Sequence, residues 1–291
     1  MKQIESSELI VNSDGSIYHL HLRPEHIAED IILVGDPGRV AMVSQHFSKI
    51  EHEIQNREFF THTGYYNDKR ITVMSTGIGT DNIDIVVNEL DALVNIDLEK
   101  RLPKSEHKSL NLVRLGTSGG LQKEIPVGSF LLTETSIGFD GLLNFYANRD
   151  KFCNTDFEED LKQKIAWNKK LTSPYVVDGA KSLLNLFDDS FVRGVTISAP
   201  GFYGPQGRVL RLPIVDNNIN DKITDYCYNE RKITNYEMES SAIYGLGAML
   251  GHNAATVCVI IANRKAKTFL NDYKPKVSEL IVKTLDLLSS K

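Results

Sequence analysis

The residues in this chain that could do chemistry are arginines beside glycine turns, two closely spaced glutamates, and a serine framed by glycines. The stretch VRLGTSGG holds Arg114, Gly116, Thr117, Ser118, Gly119 and Gly120. Gly116 to Gly120 spells G-x-S-x-G, the turn that presents a serine nucleophile in α/β hydrolases, which also need an acid and then a histidine later in the chain. The only histidine after Ser118 is His252, between a predicted helix and the strand that follows. The nucleophile reading fails on partners. Read instead as an anion cradle, the stretch is a strand followed by a Gly116–Thr117 turn, with Arg114 just before it. VGDPGRV (34–40) repeats that design, turning at Gly35, Pro37 and Gly38 and placing Arg39 at a helix start. Glycines let backbone N–H groups approach an oxyanion, a helix N-terminus favours negative charge, and the arginine fork donates two hydrogen bonds at once.

In NYEMESS (235–241), Glu237 and Glu239 alternate around Met238. In an extended segment they point the same way, as acceptors for paired sugar hydroxyls with a thioether against the sugar face. Alternatively, Glu239 simply opens the next helix, where negative charge is favoured. The loop APGFYGPQGRVLR offers Phe202 or Tyr203 to stack on a flat ring, and Gln206 and Arg208 to bond its edge. STGIGTDN contains G-x-G but has Asn82 where a dinucleotide fingerprint needs a third glycine, so it reads as a tight strand-to-helix turn. His19-x-His21 has no carboxylate or cysteine cluster beside it, and no metal centre is expected.

Short β-branched runs at 31–34, 70–75, 110–116, 129–137, 191–198 and 255–263 predict strands, mostly buried on both faces. Ile83, Val86, Val87, Leu90 and Leu93 predict a helix over 80–94, and Val277, Leu280, Ile281, Leu285 and Leu288 another at the C-terminus. The alternation predicts an α/β fold: one domain over 1–291 with a central mixed, mostly buried sheet flanked by helices, and an irregular N-terminal extension over 1–17. Segments 97–109 and 212–222 read as surface excursions.

Composition narrows the function classes. The chain has 291 residues, 41% hydrophobic and 24% charged, with net charge −5 and no dense Lys/Arg run. Nucleic acid and anionic membranes are therefore not expected partners. Three scattered cysteines (Cys153, Cys227, Cys258) and no signal-like or membrane-length apolar run predict a cytoplasmic protein.

Together GDPGRV, NREFFT, STGIG, VRLGTSGG, FYGPQGR, NYEMESS and IIANR, in that order, resemble the nucleoside phosphorylases of the purine and uridine type, most closely the uridine branch. The likeness runs from about Tyr18 to the C-terminus. It implies that Gly35, Arg39, Arg114 and Thr117 bind phosphate, with Arg57 supplied by a neighbouring subunit. It implies that Thr117, Met238 and Glu239 contact ribose, supported by Glu237, with His19 reaching the 5′-hydroxyl across a dimer interface. It implies a base pocket of Ser118, Gly119, Phe202, Gln206, Arg208, Ile261 and Ala262, in which Gln206 and Arg208 bind the carbonyls and ring N–H of uracil. Arg114, Arg39 and Glu239 are the expected catalytic set. Purine-specific relatives carry an aspartate where Ile261 and Ala262 stand, which favours a pyrimidine.

The implied reaction is uridine plus phosphate to uracil and ribose 1-phosphate, in nucleoside salvage. The rivals are a purine or broad-specificity phosphorylase, a nucleosidase using water, and a non-catalytic nucleoside binder. The implied assembly is at least a dimer, with a hexamer as the larger alternative, and the 97–109 insertion bears on it. No cofactor is expected beyond phosphate as co-substrate. Glu58 and the Ile78 backbone match an interface potassium site, but Asn82 departs from it.

Overall fold

The computed structural model describes residues 3–290. Its centre is a twelve-stranded mixed sheet with helices on both faces. The strands that position the site are β1 (Asp30–Val34), β2 (Lys49–Asn56), β3 (Phe59–Tyr66), β4 (Lys69–Ser75), β5 (Asn111–Gly120), β6 (Phe130–Gly138), β7 (Tyr175–Asp178), β8 (Val192–Ser198), β9 (Arg231–Glu237) and β10 (Asn253–Asn263). Alongside them run helices α1 (Gly38–Ser44), α2 (Thr80–Asn95), α3 (Thr155–Lys164), α4 (Ser240–Leu250) and α5 (Lys274–Ser289). The order across the sheet is β9-β8-β6-β10-β5-β1-β4-β3-β2.

The apolar run of β1 is buried along its whole length because both its faces are covered. Ile31 and Leu33 pack with Leu112 against α2 and α4, while Ile32 and Val34 pack with Val113 and Leu115 against α1 and α5. The stripe of α2 is the one its spacing predicts, with Ile83, Val86, Val87, Leu90 and Leu93 all buried. Gly79 stands at its N-cap with φ +104°, a conformation glycine adopts without a Cβ clash. No helix among the described residues is long and apolar enough to cross a membrane.

The sheet does not stay open. β5 pairs β10, β10 pairs β6, β6 pairs β8, β8 pairs β9, and β9 returns to β5 through Asn235↔Gly120 and Tyr236↔Gly119. These five strands form a closed ring, and its seam, between the end of β5 and the end of β9, brings VRLGTSGG beside NYEMESS.

Two expectations need correction. GTSGG is not a turn: β5 runs extended to Gly120, pairing with β10 on one side and β9 on the other. The glycine-rich segment is strand because it is hydrogen-bonded along both edges at the seam. Glu237 and Glu239 do not share an extended segment either, since β9 ends at Glu237 and Glu239 is the N-cap of α4. Residues 3–17 hold turns and a Val11–Ile17 bridge, with Leu9 and Ile17 packed into the core. Within 97–109 the chain makes a small hairpin, Ile96–Asp97 against Leu102–Pro103.

Candidate active site

Arg114 lies on the face of β5 that Leu112 presents to α2 and α4, with its side chain only 6% exposed. Its Nη1 is 3.3 Å from Glu237 Oε2 and its Nη2 bonds Glu239 Oε2. Burial alone lowers the pKa of this guanidinium, but the two carboxylates, Glu239 first, outweigh it and hold the group firmly charged. Gly116, two residues on along the same face, makes room for the guanidinium.

Glu237 is fixed from all sides. It accepts from the backbone N–H groups of Glu239 (2.9 Å) and Ser240 (3.0 Å), and from the hydroxyls of Ser198 (2.5 Å) and Ser240 (2.7 Å). It is thus Glu237, not Glu239, whose side chain satisfies the first amides of α4. Glu239, freed from capping, turns its Oε1 to the Gly79 N–H at 2.8 Å, at the start of α2. Burial raises the pKa of its carboxyl, Arg114 opposes that rise, and the charge on Glu237 adds to it. Met238 sits half-buried between the two glutamates.

Arg39, near the start of α1, is also buried, and its Nη1 donates to Leu115 O at 3.2 Å. Burial and the neighbouring Arg114 lower its pKa. Among the described residues it makes no carboxylate ion pair, which leaves a buried positive charge calling for an anion. Loop 35–38 lies against loop 76–79: a Cβ at Gly35 would stand 3.4 Å from Gly77 O. Thr117 is half-buried opposite Val259, Ser118 is buried with its Oγ unpartnered, and Gly119 faces open space. The closed ring therefore gathers Arg114, Glu237 and Glu239 at one seam, and Arg39 reaches the same strand from α1 through Leu115 O.

The base loop is held together by contacts among its own side chains. Gln206 is 3% exposed, and its Oε1 accepts from Arg208 Nη1 at 2.6 Å and from Arg264 Nη2 at 3.2 Å. Two guanidinium groups thus converge on the Gln206 side-chain oxygen. Phe202 is half exposed, and the guanidinium of Arg208 covers its ring at 3.7 Å. Burial first, then the charge on Arg264, pushes the Arg208 pKa down to about 10. Arg264 went unassigned in the sequence, although IIANR contains it. The signal that finds it is its place just past β10, where its backbone N–H bonds Gly120 O at 3.1 Å. Ile261 forms a bulge in β10 between Ile260↔Ser118 and Ala262↔Gly119, and both Ile261 and Ala262 are half-buried beside β5.

His19 and Arg57 come together elsewhere. The Arg57 guanidinium lies over the Tyr18 ring at 5.7 Å, Tyr18 meets His19 edge-on, and Asn56 Nδ2 donates to His19 O at 2.7 Å. His19 Nδ1 is 2.6 Å from Glu89 of α2, a partner the sequence did not suggest. Neither His19 nor Arg57 bonds Arg39, Arg114 or Glu239 among the described residues.

Three other features are not part of this chemistry. His252 lies beside Asn253, which pairs with Asn111, whereas Ser118 pairs with Ile260. At about 3.3 Å per residue, the two are about 23 Å apart along the sheet, which excludes a Ser118–His252 couple. Asp91, His107 and His252 cluster, but His252 Nδ1 accepts the Leu110 N–H. With Nδ1 engaged, the other ring nitrogen, Nε2, faces Asp91 Oδ1 at 3.2 Å. A hollow of about 770 Å³ behind the base loop is lined by Phe139, Trp167, Leu171, Leu212 and Ile214. It shares Tyr203 and Arg208 with the loop but touches neither Arg114 nor Glu239.

The chain is similar to known proteins over most of its length. A uridine phosphorylase of Thermococcus kodakarensis is 27% identical over 272 residues, covering 92% of this chain and 85% of that protein. A DeoD-type purine nucleoside phosphorylase of Streptococcus suis is 25% identical, covering 83% of this chain and 84% of its own. The crystal structure of a Trypanosoma brucei nucleoside phosphorylase, described as showing uridine phosphorylase activity, superposes with a TM-score of 0.86 at 28% identity. It covers 97% of this chain and 100% of that one. Residues 29–286 match the phosphorylase superfamily, and the chain belongs to that family.

Proposed function

We propose that this protein cleaves pyrimidine nucleosides by phosphorolysis, converting uridine and inorganic phosphate to uracil and ribose 1-phosphate. The observation that carries the reading is Arg114 buried against Glu237 and Glu239 at the β5–β9 seam, with Arg39 buried nearby and bonded to Leu115 O of the same strand. Arg39, Arg114, Thr117 and the Gly35 turn hold phosphate. Met238 and Glu239 hold the pentose, with Glu239 accepting from its 2′- and 3′-hydroxyls. The base lies along Ser118, Gly119, Ile261 and Ala262, against Phe202.

As the C1′–N1 bond breaks, its electron pair goes to the base and positive charge grows on the ribose ring. A phosphate oxygen then bonds C1′. The arginines align that oxygen and transfer no proton, so the rate gain comes from positioning and preorganised charge. Gln206 Nε2, Arg208 and Arg264 are donors without a carboxylate among them, which suits a base departing as an anion. The base takes up its proton afterwards from water. No cofactor enters these steps, and no interface potassium ion is invoked.

His19 and Arg57 meet around the exposed Tyr18 ring and bond neither Arg39 nor Arg114, which supports their service to a neighbouring subunit's site in at least a dimer. The three unpaired cysteines support a reducing, cytoplasmic setting. The test is a phosphate-dependent assay over uridine, thymidine and inosine. Uridine is expected to be the preferred substrate. Inosine consumed faster than uridine would replace this reading with a purine one.

A further inference from the structure

The chemistry at the seam makes no use of the hollow behind the base loop, yet that hollow has the size and lining of a binding site. Its volume of about 770 Å³ lies within the range of small-molecule pockets. Two of its aromatic walls are fixed in place. Trp167 packs on Phe139 with ring centroids 4.5 Å apart and donates its indole N–H to Thr172 O at 3.1 Å. Phe139 is buried directly after β6, its backbone N–H bonded to Ser198 O at 2.9 Å. With the indole N–H already satisfied, Trp167 offers a ligand apolar ring surface. Leu171, Leu212 and Val215 line the same hollow while more than half exposed, so a ligand there would take apolar surface out of water.

The charges at the hollow select the kind of ligand. They are Arg208, Arg211 and Asp216. Asp216 is engaged by Lys222 at 2.6 Å and by the Asn218 N–H at 2.9 Å. Arg208 bonds two neutral oxygens, Gln206 Oε1 and Phe202 O, and Arg211 is exposed; neither meets a carboxylate among the described residues. The unpaired charge is therefore positive. Apolar ring-lined walls with two such guanidinium groups fit a flat aromatic molecule carrying one acidic group, which an arginine fork binds well. A nucleoside fits poorly, since it has no negative charge and would set its hydroxyls against apolar walls. Hollow and base loop also share a wall: Tyr203 and Arg208 line the hollow, while Arg208 Nη1 holds Gln206 and its guanidinium covers Phe202. We propose that this hollow binds a small aromatic acid, and that its occupancy changes the affinity for the nucleoside base through Arg208. The coupling to the base rests on the proposed function; the binding site itself does not.

Trp167 is the one tryptophan of the chain, so its fluorescence reports on the hollow directly. The probe is 8-anilinonaphthalene-1-sulfonate, an aromatic ring system with a single acidic group. With uridine saturating, it should quench Trp167 and bind once per chain by calorimetry. Arg211→Glu and Leu212→Asp change exposed side chains outside the base and phosphate sites, and each should weaken the probe about fivefold or more. Saturating probe should shift the Kd of uridine about fivefold or more, the lower end for coupled sites, and leave the phosphate KM unchanged. A probe that uridine displaces, that leaves Trp167 unquenched, or that binds both variants as tightly as the wild type would overturn the site. So would a drop in sedimenting mass with Leu212→Asp, which would show that a second copy of the chain covers the hollow. An unchanged uridine Kd at saturating probe would overturn the coupling. Failure of the protein to convert uridine would instead strike the functional reading, while quenching of Trp167 by the probe would still support the hollow as a site.

Discussion

Arg114 and Gly116 occupy the same face of one strand, and the guanidinium of the first fills the space a side chain on the second would take. A Cβ at Gly116 would lie 2.2 Å from Arg114 Nη1 and 3.1 Å from Cys258 Sγ. Gly116→Ala is expected to push the guanidinium off Glu237 and Glu239. The cost to folding should stay at the scale of an overpacked core, about 1–3 kcal/mol. Phosphate affinity should fall at least tenfold, read as the phosphate KM at saturating nucleoside. An unchanged phosphate KM would mean that the guanidinium position is immaterial to phosphate.

Arg114→Ala removes the group itself. Turnover should drop about 100-fold or more, the scale for losing one preorganised donor. Two buried carboxylates then face each other without their cation, and breaking such a pair costs about 3–5 kcal/mol. Urea unfolding alongside the assay separates the two effects. Arg114→Lys keeps a charge but not the fork, and it should recover stability better than turnover.

Arg264 makes a prediction about the base alone. Its guanidinium and that of Arg208 together fix the Gln206 side-chain oxygen. With Arg264→Ala the amide is held by Arg208 alone, and the KM for uridine should rise about tenfold or more while the phosphate KM holds. A matching rise in both would place Arg264 outside the base pocket.

How much of this was legible in the chain differs from element to element. The runs 31–34 and 70–75 and the stripe of α2 stand out because they are apolar at regular spacing and buried. The β2–β3 hairpin was missed. Its strands carry histidines, glutamates and threonines, and its turn puts Arg57 at φ +53° where glycine or asparagine would have been the signal. GTSGG misled because glycines that clear space for Arg114 and allow pairing on both edges look, in one dimension, like a loop. Arginines and glutamates could be named from their motifs, but which carboxylate meets which guanidinium depends on ring closure at β5 and β9, contacts more than a hundred residues apart in sequence. Glu89 had no local pattern at all, and Arg264 stood inside IIANR with nothing in the motif to give it a role; only their neighbours in space reveal them.

Asp140 supplies a pH signature. Burial raises its carboxyl pKa above 3.8, although the Leu142 N–H and the hydroxyls of Tyr175 and Ser241 bond the carboxylate and partly offset the rise. Between 3.8 and that raised value the folded chain holds more protons at this site than the unfolded chain does. Stability from this group is therefore greatest below 3.8, is lost as pH climbs through the window, and is level above it. The wild type should gain stability relative to Asp140→Asn as pH is lowered from neutral towards about 4, followed by denaturant unfolding at each pH. A gain on raising the pH instead would show the carboxylate to be net stabilised in the fold.

The most direct test of the central claim is to supply purified protein with uridine, with and without inorganic phosphate, and to quantify uracil and ribose 1-phosphate. The account predicts uracil and ribose 1-phosphate in equal amounts when phosphate is present, and no appreciable uracil when it is absent. Uracil released at the same rate without phosphate, or no conversion at all with it, would contradict the assignment of Arg39 and Arg114 to a reacting phosphate.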